Sequence, residues 1–420
     1  MRILSITAQK PSSTGSGVYL TELVKEYAAK GHEQAVVAGV YEEDEAELPE
    51  GVKLYPVYFS QDGKGCGGRE GEGFHEGSSV SLPFPIAGMS DEMPYKSTRY
   101  CDMTPEMAEQ FKEAFLKAVA RAVKELSPDI VLCHHLYFLT ALVREAFPGL
   151  KVYGFCHNTD LRQMKKTDLE RGFIREQIKR LDHIFVPQRA QEEGVKEIYG
   201  VSSDKITRAG MGFNRRIFHV TGERPSDGIT RLVFAGKIAE KKGVVSLMRS
   251  LCLLGDLGKE IEVFLAGSTG NEDEFGLICE LSKKAPVKVT FLGRLSQAEL
   301  SKVYNRCDIF VLPSFFEGIP LTVIEALACG DRAVMTDLPG IREWLSEAVP
   351  GADVLFVEMP EMRNADEPVK SGLPGFERRL ADALCESIRK GKTRLADVSG
   401  ISWEGIAERV ISCARTDRTS

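Results

Sequence analysis

Several features that decide a protein's class at once are missing from this chain. It has no basic excess: 54 Lys and Arg stand against 61 Asp and Glu, a formal net charge of −7. General nucleic-acid binding needs a basic footprint, so that class is set aside. No stretch approaches 18 consecutive apolar residues, so no segment reads as a membrane span, although peripheral membrane contact stays open. The ten cysteines are scattered and include no Cys-x-x-Cys pair. They sit mostly in apolar runs such as "IVLCHH" and "ALACGD" and read as reduced, buried thiols, which points to a cytoplasmic location. The opening "MRILSITAQ" reads as a buried strand, too short for a signal peptide. There is no convincing Asp-x-Asp pair to hold a metal; "EEDEAE" near residue 45 reads as a solvated acidic run.

What is present is length and alternation. The chain has 420 residues, more than one ordinary core can use, with 43% hydrophobic and 27% charged residues,. Short runs, "RILSI", "QAVVAG", "DIVLCHH", "KVYGFCH" and "HIFVP", are apolar throughout and read as strands covered on both faces. Between the first two, Leu20, Leu23, Val24, Tyr27 and Ala28 keep helical spacing, and Gly31 ends that helix. A long helix is predicted after Thr104 and Pro105, with Met107, Phe111, Phe115, Val119 and Val123 as its buried stripe. The pattern restarts with "RLVFAG", "IEVFLAG", "VKVTFLG", "DIFVLPS" and "RAVMTD". "SQAELSKVY" carries a capping box, Ser296 with Glu299.

The organisation expected is therefore two doubly wound α/β domains, 1–220 and 226–400, with a polar linker near 219–230. The last helix, about 402–418, has a stripe of Trp403, Ile406, Ala407, Val410 and Ile411 and is expected to pack back on the first domain. "QDGKGCGGREGEGFHEG" holds seven glycines in 17 residues and reads as a loop. The Pro-rich apolar stretch that follows has no periodicity and reads as a surface excursion or a recognition loop.

Three segments carry possible chemistry. In "STGSGVY", Gly15 and Gly17 would let a backbone approach a ligand at a helix N-terminus. Leu20 stands where a dinucleotide fingerprint needs a third glycine, and no Gly-Lys-Ser/Thr follows, so a plain turn serves equally well. In "FAGKIAEKKGVVSL", Lys237 and Lys242 flank a loop at a strand's C-terminal edge, where two cations suit a diphosphate or simply a solvated surface. In "FFEGIPLTVIEALACG", Glu317 and Glu325 lie eight residues apart around a helix start. Backbone N–H groups from Ile319 to Thr322 would face a phosphate there. A half-buried Glu325 should find a hydrogen-bonding partner.

Taken together these segments resemble the retaining glycosyltransferases of family 4, whose donor-site signature is Glu-x7-Glu, here "EGIPLTVIE" followed by "ALACG". "GFCHNTDL", "DKITRAGMGFNRRIF" and "AGKIAEKKG" resemble further stretches of that family, and the likeness covers most of the chain. It implies a GT-B architecture, two facing Rossmann-like domains with a cleft between them. It also implies transfer of a sugar from a nucleotide-diphosphate donor to an acceptor (sugar, glycan or lipid-linked) with retention, and neither metal nor cofactor. The donor-binding residues implied are Gly17, Gly236, Lys237, Lys242, Arg294, Gly318, Ile319, Pro320, Leu321 and Glu325, with Glu325 on the ribose hydroxyls. Glu317, His157 and Lys242 are implied as catalytic, Glu317 facing the transferred sugar. His134 and His135 rank below His157, and Asp160 below them. Lys237 stands where the family usually has arginine, which keeps the charge and loses the bidentate fork. "GDRAV" lacks the usual proline, and the glycine-rich run has no counterpart. A GT-B sugar-nucleotide epimerase and an inactive nucleotide- or partner-binding subunit are the alternative readings. Seven basic residues between Arg162 and Arg180, interspersed with acids, read as a solvated helix or as a face for anionic lipid.

Overall fold

A computed structural model describes residues 1–44, 47–61, 81–90, 93–222, 224–364, 367–391 and 395–416. The glycine-rich run, apart from Gln61, lies outside the described residues. The chain divides into two compact units, Met1–Gly210 with Ile406–Ser420, and Met211–Gly405.

In the first unit the strands are β1 (Arg2–Thr7), β2 (Glu33–Val40), β3 (Lys53–Tyr58), β4 (Ala87–Gly88), β5 (Thr98–Arg99), β6 (Ile130–His134), β7 (Val152–Phe155), β8 (His183–Val186) and β9 (Ile206–Arg208). Seven of them form one sheet in the order β3-β2-β1-β6-β7-β8-β9, all parallel, and β4 pairs with β5. Central strands are buried on both faces, which is why they read as unbroken apolar runs,. β3 alternates half-buried and buried positions and contains Pro56, tolerable because it is an edge strand that spares one ladder N–H,.

The helix Gly15–Ala29 begins at Thr14, whose hydroxyl accepts from the Gly17 N–H, and buries Leu20, Leu23, Val24 and Tyr27. A Cβ on Gly17 would lie 2.7 Å from the Lys10 carbonyl oxygen, so the loop closes on itself only with glycine there,. The helix Pro105–Leu126 is capped by Thr104 and buries Phe111, Phe115 and Val119, with Met107 and Val123 at the margin. The Pro-rich stretch is no surface excursion. Leu82, Phe84, Ile86, Ala87 and Met89 are buried, and Phe84 meets Phe59 edge-on. Its side chains fill space beside β3, without a helical or strand period to announce it.

The second unit holds β10 (Thr230–Ala235), β11 (Ile261–Ala266), β12 (Lys288–Gly293), β13 (Ile309–Leu312), β14 (Arg332–Thr336) and β15 (Val354–Val357). Their order is β12-β11-β10-β13-β14-β15, again all parallel. The Ser296–Glu299 capping box is formed. The polar segment 219–230 is tied to this unit: Asn305 bonds Thr221 N–H and the His219 carbonyl, and Arg224 pairs with buried Asp331 at 2.6 Å. The final helix, Trp403–Thr416, buries Ile406, Ala407, Val410 and Ile411. From Ile406 onward it groups with the first unit. The basic stretch forms two short helices, Thr159–Lys166 and Arg171–Lys179, rather than one. Among the described residues no helix is long and apolar enough to cross a membrane.

Candidate functional site

In an open parallel sheet, ligands bind at the carboxyl edge where the strand order reverses. In the second unit that point lies between β10 and β13, and both charged segments converge on it. The loop after β10 is pinned on one side to the loop after β11, through Ile238 N–H to Ser268 O at 3.0 Å. On the other side Phe315 N–H donates to Lys241 O at 3.1 Å, tying it to the loop after β13. Gly243 makes the approach possible: its φ is +69°, and a Cβ would sit 1.9 Å from the Pro313 carbonyl oxygen,. The result is an ion pair between residues 75 apart in sequence, Lys242 Nζ to Glu317 Oε1 at 2.8 Å. Both partners are only half-buried.

Behind the pair runs the helix Leu321–Ala328, with Pro320 at its N-cap and no side chain capping it. Of the amides expected to face a ligand, Pro320 has none, and Leu321 spends its own on the Ile319 carbonyl at 2.9 Å. Ile319 and Thr322 remain, with no hydrogen bond outside the helix's own ladder among the described residues,. Glu325 is 8% exposed. Contrary to expectation, its carboxylate has no hydrogen-bond partner among the described residues. Burial alone pushes its pKa up to about 7,. A carboxylate desolvated to this degree without a partner is a poor structural element and a ready acceptor for an incoming hydroxyl pair.

Other expected residues distribute around this point. Gly236 ends β10, and Lys237 after it is exposed, its Nζ beside Gly270. Gly318 is exposed with open space about its Cα, Ile319 and Leu321 are half-buried, and Pro320 is buried. Arg294 follows β12, on the same edge but two strands from β10, so it does not join the pair. Phe316, beside Glu317, is 55% exposed and was not singled out from sequence. Gly17 and His157 lie in the first unit.

At the corresponding reversal in the first unit, between β1 and β6, the chemistry is different. His134 ends β6, His135 follows it, and His157 comes two residues after β7. His134 Nδ1 and His157 Nε2 are 3.1 Å apart. His135 Nε2 lies 2.9 Å from Ser16 Oγ and 3.3 Å from Gln9 Oε1. Burial lowers the pKa of all three rings, that of His157 to about 3, so they are neutral,. Asp160 is fully buried and accepts from the N–H groups of Leu136, His157 and Leu161. Burial nevertheless raises its pKa, those amides opposing the shift. Sequence reasoning ranked His134, His135 and Asp160 below His157; the adjacency of β6 and β7 brings the first two to it, while Asp160 is tied to it within the same turn.

Residues 222–361 match the family model described as glycosyl transferases group 1, and residues 97–215 the one described as glycosyltransferase family 4. The D-inositol 3-phosphate glycosyltransferase of Stackebrandtia nassauensis is 25% identical over 253 residues, 56% of this chain and 57% of that protein. The chain spans about half the length of the curated relatives it matches. Among solved structures, the sucrose-phosphate synthase of Thermosynechococcus elongatus covers 100% of this chain and 99% of its own, at 15% identity and a TM-score of 0.57. An Anabaena protein solved in complex with UDP covers 99% and 100%, at 12% identity and 0.56. The class is thereby defined: this is an α/β protein of GT-B fold, built from two Rossmann-like domains. Two of its segments, one in each unit, are of glycosyltransferase type.

Proposed function

We propose that this protein is a glycosyltransferase that moves a sugar from a nucleotide-diphosphate sugar to an acceptor hydroxyl, with retention of configuration and without a metal. The observation that carries the reading is the Lys242–Glu317 ion pair at the β10–β13 reversal, followed on the next helix by a buried Glu325 whose carboxyl has no protein partner among the described residues. Cleavage of the sugar–phosphate bond leaves positive charge on the ring and negative charge on the diphosphate. Lys242 and Lys237, with the Ile319 and Thr322 amides, would take up the developing anion. Each such preorganised group is worth about 3–4 kcal/mol in the transition state. Glu325 would accept from the ribose diol of the nucleotide. Glu317, released from Lys242 as phosphate arrives, would bind a sugar hydroxyl and favour charge on the ring. His157, in the first unit, would contact the transferred sugar or the acceptor. The two family segments and the GT-B relatives support this reading, and the UDP carried by the Anabaena relative suggests a nucleoside diphosphate as the first ligand to try.

A thermal-shift panel of nucleoside diphosphates and their sugars tests it. A ligand at 100 times its Kd should add about 2.7 kcal/mol of stability. Transfer to added acceptors, followed by NMR of the anomeric proton, then reads retention. A chelator should leave the rate unchanged. No stabilisation by any nucleoside diphosphate would remove the donor site, and loss of rate to a chelator with recovery on added metal would remove the metal-free mechanism.

A further inference from the structure

The reading above leaves the three-histidine cluster of the first unit with one member in contact with substrate and two without a task. His157 makes two bonds to protein: its N–H donates to Asp160, and its Nε2 meets His134 Nδ1 at 3.1 Å. Its Nδ1 has no hydrogen-bond partner among the described residues, and the residue is only half-buried. His134 is buried and fixed. Its ring lies at 11° to that of Phe155, centroids 4.8 Å apart, and at 14° to that of His157. With the two rings nearly coplanar, an N–H on one nitrogen points along the lone pair of the other. Tyr19 packs edge-on against His157 from the Gly15–Ala29 helix, at 5.3 Å. Asp160 joins the turn after β6, through Leu136 N–H, to the turn after β7, through His157 N–H. Both turns contain a non-glycine residue of positive φ, His135 at 72° and Asn158 at 69°. Backbone in that region persists only where its surroundings hold it.

Two neutral imidazoles sharing one hydrogen bond must take complementary tautomers. Whichever ring donates, the polarity of His157 Nδ1 is settled by the state of its neighbour. Resting on the glycosyltransferase reading, we propose that His134 is a positioning residue: through Nδ1 it holds the ring plane of His157 and ties the tautomer of His157 to its own, so that the hydrogen-bonding sense His157 Nδ1 offers a substrate hydroxyl is set jointly by the two rings. A merely structural His134 would pack against Phe155 and leave the tautomer of His157 free.

The test has a part that needs no turnover. In wild-type protein labelled with 15N at histidine, His134 and His157 should show complementary tautomers and a scalar coupling across the N–H···N bond between them. Absence of the coupling, or tautomer populations of the two rings that do not mirror each other, would overturn the proposal, whether or not the protein proves to transfer sugars. His134→Phe keeps the ring stack and removes the bond. His157 should then show mixed tautomers, and kcat should fall about tenfold with donor Kd unchanged. His134→Asn, which restores a polar atom near the Nδ1 position, should recover most of the rate. In a His157→Ala background, His134→Phe should cost nothing further; additive losses would also overturn the proposal. If His134→Phe does not fold, the wild-type coupling and the His134→Asn rate decide. A protein with the coupling but no transfer activity would instead contradict the proposed function.

Discussion

The two sheets reverse their strand order at equivalent points, β1 against β6 and β10 against β13, and they spend buried polarity in opposite ways. At the first reversal most polar groups are bonded to protein: His134 to His157, His135 to Ser16, and the Asp160 carboxyl to three backbone amides, with His157 Nδ1 left open among the described residues. At the second, an ion pair stands half in water, and the Glu325 carboxylate sits desolvated with no protein partner. One backbone geometry thus carries polar groups bonded mainly to protein at the edge of one unit, and a half-buried ion pair with an unpartnered buried carboxyl in the other. The general lesson is that a fold supplies the address, and the local compensation of desolvation decides what is delivered there.

The comparison can be broken most sharply at Lys242. Lys242→Ala should lower kcat/KM about 10²- to 10³-fold. Calorimetry should show a loss for a nucleoside diphosphate far larger than for the parent nucleoside; equal losses would mean that the second edge is no anion site. The melting temperature should hardly move, since a half-exposed pair is worth about 1 kcal/mol or less. Glu317→Gln should come next, cutting kcat by about 10²-fold while nucleotide affinity holds. Single-turnover rates and Kd measured on one preparation distinguish this from a folding defect.

At the first edge the expected effect is on stability instead. Asp160→Ala orphans three backbone donors and should cost about 3 kcal/mol or more in urea unfolding. A loss near zero would show that the edge is not internally satisfied. The subtlest effect is that of pH on Glu325. Its folded pKa, about 7, lies above the ordinary carboxylate value of 4.5. The carboxyl therefore costs the ligand-free protein nothing below about pH 4.5, and progressively more until pH passes 7, reaching about 3 kcal/mol. Glu325→Gln should remove that cost, so its stability advantage should appear at pH 8 and fade at pH 5. Nucleotide affinity of the wild type should conversely rise about tenfold from pH 6 to pH 8, as the accepting carboxylate ionises. An affinity flat across that range would take the ribose role from Glu325.

Much of the fold was legible because buried parallel strands write themselves as unbroken apolar runs. All five runs read in each half are strands of the sheets. What was missed in the two large sheets sits at edges: β3 with its Pro56, three-residue β9, and half-buried β15, where packing on one side leaves a diluted pattern; the two-residue β4 and β5 were missed as well. The Pro-rich stretch was misread because its apolar residues enter the core singly, with no period to detect. At the site, residue types and spacing were enough to single out Lys242, Glu317 and Glu325. Their mutual arrangement was not, because the pair depends on β10 lying beside β13. The partner expected for Glu325 does not exist among the described residues, and burial alone acts on its carboxyl. His134 and Asp160 were ranked low because their sequence signal is weak; what brings them out is the meeting of the turns after β6 and β7, His134 bonding His157 and Asp160 accepting from Leu136.

Each unit also holds a pair of buried thiols near its central strands, Cys133 and Cys156 at the carboxyl edge of the first sheet, Cys307 and Cys329 at the amino edge of the second. Burial raises the pKa of all four, Cys133 and Cys329 to about 12, so none offers thiolate at neutral pH,. Cys101 and Cys252 lie exposed. Alkylation should therefore be fast at the exposed thiols and slow at the buried four, each modified only when its own surroundings open. Read by mass spectrometry over time, the chain is its own pair of stopwatches, one for the breathing of each unit, and a bound nucleotide should slow the Cys307 and Cys329 hands alone.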